Sequence, residues 1–163
     1  LYGCPLPVVA AVTGHAVAAG LILVLACDYR VGSSAPCKLG LTEARVGIPF
    51  PAVAMQVLQA EVAPDVARVL TLRAENIGPQ AALACGVLDE LQPPARILSA
   101  AMARARDLAS MPAEGYARIK QQLRAGTLAR IEETIARGTD PALASWVTPE
   151  AGAASAALLR GER

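Results

Sequence analysis

Two patterns of apolar residues divide this chain of 163 residues. Up to position 45, short β-branched runs alternate with turn residues; beyond position 51, longer Ala- and Leu-rich stretches begin at prolines. Residues 7–12 (Pro-Val-Val-Ala-Ala-Val) stop at Thr13-Gly14 and predict a strand buried on both faces. Residues 16–27 are apolar on every side, which predicts a helix inside a core. Asp28-Tyr29-Arg30-Val31 reads as a second strand closed by Gly32-Ser33-Ser34, and residues 37–41 as a third. That order predicts right-handed β-α-β crossovers and a mostly buried sheet. Helices are then expected over 51–58, 64–72, 79–86, 93–110, 112–125 and 149–159, with 87–91 as a short exit strand. Several open on proline, whose missing N–H costs nothing in a first helical turn. Thr148-Pro149-Glu150 adds an N-cap and a first-turn acid to the last of them.

Composition agrees with a packed α/β unit. Hydrophobic residues make up 54% of the chain and charged ones 18%, so a core has ample material; aromatics are only 3%, which disfavours an aromatic-rich sandwich. Fifteen basic residues against fourteen acidic ones leave a net charge of +1, without the clustered basic face of a nucleic-acid binder. The four cysteines (4, 27, 37 and 85) form no CxxC pair and sit among apolar residues, as small buried thiols in a reducing cytoplasm would. With one His in the chain, no Cys/His metal site is expected. Residues 6–27 are nearly uncharged and long enough to raise the question of a membrane span. Thr13-Gly14-His15 divides them into pieces too short to cross, no flanking Lys/Arg cluster sets an orientation, and no basic leader precedes them. A cytoplasmic protein without membrane partners is the expectation.

The later helices alternate apolar and charged faces. Arg104, Arg106 and Asp107 mark one such face and Arg118, Lys120 and Arg124 another, and both are read as solvated. A cationic face of this kind also suits the phosphates of a nucleotide-bearing ligand.

Chemistry concentrates between positions 14 and 49. A Gly-His turn, a helix opening on small residues and an isolated acid after a short strand follow one another in that span. Each alone has a plain explanation: a turn glycine, close helix packing, a surface acid. In sequence they describe an oxyanion site, because small residues let an acyl oxygen approach the exposed amides of a helix start, where the helix dipole favours negative charge. An acid held nearby removes a proton α to that carbonyl.

Gly14-His15-Ala16-Val17-Ala18-Ala19-Gly20, Ala26-Cys27-Asp28-Tyr29-Arg30, and the run from Leu39 through Glu43 and Gly47 to Pro49 resemble, in order, three motifs of the crotonase (enoyl-CoA hydratase/isomerase) family. These are its G-[YH]-x-x-x-G-G helix start, its A-x-D-x-R strand and its F-G-x-x-E-x-x-x-G-x-x-P loop; residues 81–91 resemble its E-A-x-x-x-G-L-V-D-x-V stretch. The match is specific over 7–49 and loose through the helices. The resemblance implies an α/β spiral of ββα turns (here its C-terminal portion, 1–91) followed by a helical oligomerisation region (92–163). It also implies acyl-CoA thioester substrates, no cofactor beyond the coenzyme A of the substrate, and homotrimers or dimers of trimers. It carries the catalytic carboxylate onto Glu43, an oxyanion-hole backbone N–H onto Ala19, and the acyl-pocket lining onto Ile22 and Pro49.

Two departures qualify that assignment. Hydratases of the family carry a second Glu where this chain has Ile22, and an Ile neither activates water nor manages a proton. An apolar residue there beside a retained Glu, together with the Cys27-Asp28-Tyr29-Arg30 strand, resembles the 3,2-trans-enoyl-CoA isomerases. The family also has a further N-terminal stretch, whose G-x-D-[LF] loop supplies a second oxyanion N–H and much of the adenine contact. Starting where it does, the chain is expected to be a piece of such a protein with an incomplete site. Isomerase is the first expectation. A hydratase or hydrolase whose water is held elsewhere, and a non-catalytic acyl-CoA binder, are the alternatives. His15, Cys27 and Cys37 are expected to be structural, Asp28 and Arg30 to pair with each other, and Trp146 to anchor the last helix rather than cap an acyl tunnel.

Overall fold

A computed structural model describes residues 1–138 and 140–160. In chain order the elements are β1 (Val9–Val12), β2 (Ala16–Val17), α1 (Ala19–Leu25), β3 (Tyr29–Ser33), β4 (Leu39–Gly40), a 3-10 turn (Glu43–Val46), α2 (Ala52–Glu61) and α3 (Pro64–Thr71). Next come β5 (Asn76–Ile77), α4 (Pro79–Ala84), β6 (Glu90–Gln92), a 3-10 turn (Pro94–Arg96), α5 (Ile97–Ala109), α6 (Ala113–Ala136), a 3-10 segment (Pro141–Val147) and α7 (Pro149–Leu159).

The strands form two small sheets. In one, β3 lies between β1 and β6, all parallel, with Val9 opposite Tyr29 and Val31 opposite Glu90. In the other, β4 runs parallel to β2 and antiparallel to β5. Leu21, Leu25, Leu39, Leu41, Leu58 and Leu70 are fully buried together between these sheets and α2 and α3. A smaller cluster of Val31, Ile97 and Ala101 seals α5 against β3.

Several segments differ from the expectation: β1 is not buried on both faces, since Ala11 is exposed, and the exit strand falls at Glu90–Gln92. Ala16 and Val17 belong to a strand, not a helix: the Ala16 amide donates to the Lys38 carbonyl (2.9 Å) and the Ala18 amide to Gly40 (2.9 Å). A partner more than twenty residues away consumes the groups a helix would have used, which local composition cannot reveal. The helix that follows is not buried all round; only Leu21 and Leu25, four apart on one face, are buried, while Leu23 is 57% exposed. Among the described residues no helix is long and apolar enough to cross a membrane. Helix α6 runs on to Ala136, past the expected end near position 125. Lys120, Arg124, Thr127 and Ile131 are its buried residues, spaced on one face, so packing continues straight through Gly126.

Lys120 and Arg124 thus point inward, and the expected solvated face is corrected at these two positions. They are 8% and 5% exposed and end in a buried ion network. Asp28 accepts from the Val8 amide (2.7 Å) and from Lys120 Nζ (2.7 Å), and its other oxygen lies 3.1 Å from the Arg124 guanidinium. Arg124 continues to Glu61 (3.4 Å), Glu61 to Arg30 (3.5 Å), and Arg30 to Asp89 (3.4 Å). Asp28 and Arg30 do not pair with each other as expected; each finds opposite charges on other elements of one connected network. The Arg124 guanidinium also stacks 4.1 Å over the Tyr2 ring. Burial and the Asp28 carboxylate push the Tyr116 phenol up to about 12.

All four cysteines are free thiols, but only Cys27 is buried; Cys4, Cys37 and Cys85, which lie outside the helices and strands, are half-buried. Arg118 is exposed, as expected of that helix face.

Removing the hub of the network leaves buried cations uncompensated. Asp28→Ala is therefore expected to cost about 3 kcal/mol, read as a lower urea midpoint, whereas Glu114→Ala on the exposed Arg118 pair shifts it by less than about 0.5 kcal/mol.

Candidate active site

The β2–β4 ladder sets the geometry of the site. Its two strands are parallel, with Val17 opposite Gly40, so both chains leave the ladder at the same end. Two residues past Val17 comes Ala19, and three past Gly40 comes Glu43. The close approach of β4 and β5 needs Gly40, since a Cβ there would press on the Asn76 side chain and on the Glu75 carbonyl oxygen.

Ala18 turns the chain from strand into helix. It does so with φ 54° and ψ −129°, a conformation that L residues with a Cβ rarely adopt. Its carbonyl accepts from the Leu21 amide (3.0 Å) and the Ile22 amide (3.3 Å). Ala19 is the first helical residue, so its N–H has no acceptor within the helix, and it lies exposed.

Glu43 opens the 3-10 turn beyond β4. The Arg45 amide donates to the Thr42 carbonyl (2.9 Å), Gly47 takes a left-handed φ of 70°, and the Ile48 amide closes back onto the Glu43 carbonyl (3.2 Å). The Glu43 side chain is 6% exposed, and its buried Oε2 has no hydrogen-bond partner. Burial pushes its carboxyl above the ordinary range, opposed only by its own backbone amide. An acid held this way has the basicity to take a proton from carbon and the driving force to give it back.

Ile22 is half-buried and packs against the main core. Pro49 is exposed, and its carbonyl accepts from Trp146 Nε1 (2.8 Å). That bond makes Trp146 an anchor for the C-terminal segment, as expected. Asp140 strengthens the same junction by accepting from the Ala52 amide at the start of α2 (2.6 Å) and from the Ala142 amide (3.0 Å). Helix α7 packs on the turn that carries Glu43. His15 is exposed and accepts from the Lys38 amide through Nδ1 (2.9 Å), a structural role.

Neither Asp140 nor Arg45 stands out in the sequence, because their partners are backbone groups 88 and 29 residues away. A cavity of about 620 Å³ lies elsewhere, over the ion network, with Tyr116, Ile119 and Leu123 among its walls. Neither Glu43 nor Ala19 lines it.

A buried acid and a helix start of small residues thus stand beyond the same end of one parallel ladder. The chain belongs to the enoyl-CoA hydratase/isomerase family, whose pattern it matches over residues 1–141. It is 36% identical over 116 residues to a protein of Mycobacterium tuberculosis described as a probable enoyl-CoA hydratase, EchA17, covering 71% of this chain and 44% of that protein. Its fold superimposes on the enoyl-CoA hydratase EchA3 of Mycobacterium ulcerans with a TM-score of 0.78 and 32% identity, over 82% of this chain and 58% of the other. The Mtb enoyl-CoA isomerase aligns with the same TM-score at 30% identity, over 82% and 59%. The chain thus spans under half the length of the curated relative and about three-fifths of the solved structures. Together these establish the crotonase fold.

Two stability measurements follow. Ala18→Gly is expected to stabilise the chain by about 1 kcal/mol through relief of its positive φ, seen as a higher urea midpoint. For Glu43, the raised carboxyl pKa means that burial favours the protonated form. Its contribution is fully present below the ordinary carboxyl value of about 4.3 and is lost as pH rises through the raised value. Glu43→Gln is therefore expected to be more stable than the native chain at pH 7, with the advantage vanishing below about pH 4. Equal stability differences at both pH values would contradict the buried carboxylate.

Proposed function

We propose that the protein binds an acyl-CoA thioester and shifts the double bond of a 3-enoyl-CoA to the 2-position, with Glu43 as its single acid/base. The observation that carries this is the burial of the Glu43 carboxyl, whose Oε2 has no hydrogen-bond partner, in a chain with an apolar Ile22 where hydratases of the family carry a second Glu. One base suffices for the reaction. Glu43 takes a proton from C2, the electron pair delocalises into the thioester carbonyl as a dienolate, and the same proton returns at C4. The Ala19 amide, at the start of α1, is placed in the role of donor to the thioester oxygen. Ile22 and Pro49 are assigned to the acyl pocket, where apolar walls keep water from the dienolate. The likeness to the Mtb enoyl-CoA isomerase supports the reading. The family resemblance further supports a homotrimer or dimer of trimers in the cytoplasm.

The hydratases among its relatives favour a second reading, addition of water to a 2-enoyl-CoA. That chemistry needs a further group to activate water, from a position other than 22.

Incubation with a 3-enoyl-CoA and, separately, with crotonyl-CoA separates the two. Isomerase action yields 2-enoyl-CoA from the first and little 3-hydroxyacyl-CoA from the second. Glu43→Gln is expected to lower isomerisation by about 10²- to 10⁴-fold, the usual worth of a positioned acid/base. Rapid hydration of crotonyl-CoA selects the hydratase, and calorimetric binding without turnover of either thioester selects an acyl-CoA binder.

A further inference from the structure

We propose that Arg45 is a positioning residue for Glu43, holding the 3-10 turn in its buried setting through a hydrogen bond to the Ala74 carbonyl. The inference rests on the reading of Glu43 as the acid/base.

A turn that carries a buried carboxyl with one oxygen, Oε2, left without a hydrogen bond is pulled toward water, because opening it would hydrate the acid. Within the turn only the bond from the Arg45 amide to the Thr42 carbonyl, at 2.9 Å, has ordinary length. Gly47 reaches the Ala44 carbonyl at 3.4 Å and Ile48 reaches Glu43 at 3.2 Å, both long for N–H···O bonds. Arg45 Nε, two residues from Glu43 in the same turn, donates to the Ala74 carbonyl at 2.7 Å, the short range expected of a charge-assisted bond.

The acceptor is itself fixed. Ala74 is 3% exposed and left-handed at φ 48°, a conformation an alanine keeps only where its surroundings impose it. It leads directly into β5, whose Asn76 and Ile77 pair with Gly40 and Leu39 of β4. The turn is thereby held from two sides of one sheet: by its own chain continuing from β4, and by Arg45 reaching to the segment before β5. The Ala18 amide bonds the same Gly40, so the tether fixes Glu43 in the frame that also places the Ala19 amide.

The test compares Arg45→Met, which keeps length but removes the donor, with Arg45→Gln, whose amide nitrogen stands the same number of bonds from Cα as Arg Nε. Amide hydrogen exchange at Gly47 and Ile48 and steady-state turnover of a 3-enoyl-CoA are measured on the whole chain. Arg45→Met is expected to speed exchange at these amides about 10-fold and to lower kcat by about 10- to 100-fold with KM within about two-fold. Arg45→Gln is expected to recover most of both. Unchanged exchange in Arg45→Met, unchanged kcat despite faster exchange, or equal damage in Arg45→Gln would each overturn the positioning role. Residue 45 is exposed, so both variants should fold, which circular dichroism checks. Failure of the Met variant alone supports the tether, and failure of both overturns it. If Glu43→Gln retains full turnover, or the native chain turns over no thioester, the acid/base reading falls; the exchange comparison still decides the tether.

Discussion

Asp28 is the point at which the chain commits to its shape. Its carboxylate gathers the Val8 amide just ahead of β1, the ammonium of Lys120 and the guanidinium of Arg124, all largely shielded from water. Buried ions are costly to bring together and more costly to separate, because any one left alone keeps its desolvation penalty and loses its partner. The network therefore acts less as a source of stability than as a selector of arrangement. Helix α6 can satisfy Lys120 and Arg124 in one rotation and one register only. The same register turns Thr127 and Ile131 inward and lays the helix along α2, whose Glu61 continues the chain of charges to Arg30 and Asp89.

That selection reaches the candidate site through the strands. With β1 and β3 fixed side by side, α1 must cross between them, and its start is set by the β2–β4 ladder rather than by helix propensity. Ala18 absorbs the mismatch as a positive φ. The strain sits next to the amide assigned to substrate, as unfavourable backbone often does where a site must be preorganised. A second left-handed alanine, Ala74, marks the other wall of the same small sheet, where the turn bearing Glu43 is tied down.

Much of this was legible from the residues alone. The β-branched run ending at Thr13-Gly14 became β1, the prolines at 64 and 79 opened helices where they stand, and Pro149-Glu150 after Thr148 opened α7. Glu43 alone reads as a surface acid; the ordered motifs around it single it out, and the fold buries it. What escaped was whatever depends on a distant partner. Ala16-Val17 reads as helix until Leu39-Gly40 claims its backbone. Lys120 and Arg124 read as solvated until Asp28 and Glu61 are seen beneath them. Gly126 reads as a helix end until the continuing stripe of buried residues outweighs its poor propensity. Asp140 and Arg45 reach backbone carbonyl and amide groups, which carry no residue-specific signal at all.

The chemistry follows from what surrounds Glu43 more than from the acid itself. Beside a second carboxylate, each acid would raise the other's affinity for protons, and the pair could divide the tasks of activating water and protonating carbon. Ile22 removes that division of labour. On the proposed reading it leaves a lone carboxyl whose basicity is raised by burial. Such a group is suited to a proton that leaves one carbon and returns to another, since neither end of the transfer needs a solvent molecule. On the proposed isomerase reading its weakness is positional: one group must reach both C2 and C4 of the substrate without a partner to correct its aim. A turn held from both sides of a small sheet meets that demand, which ties the strained alanines, the Arg45 bond and the missing second acid to a single functional requirement.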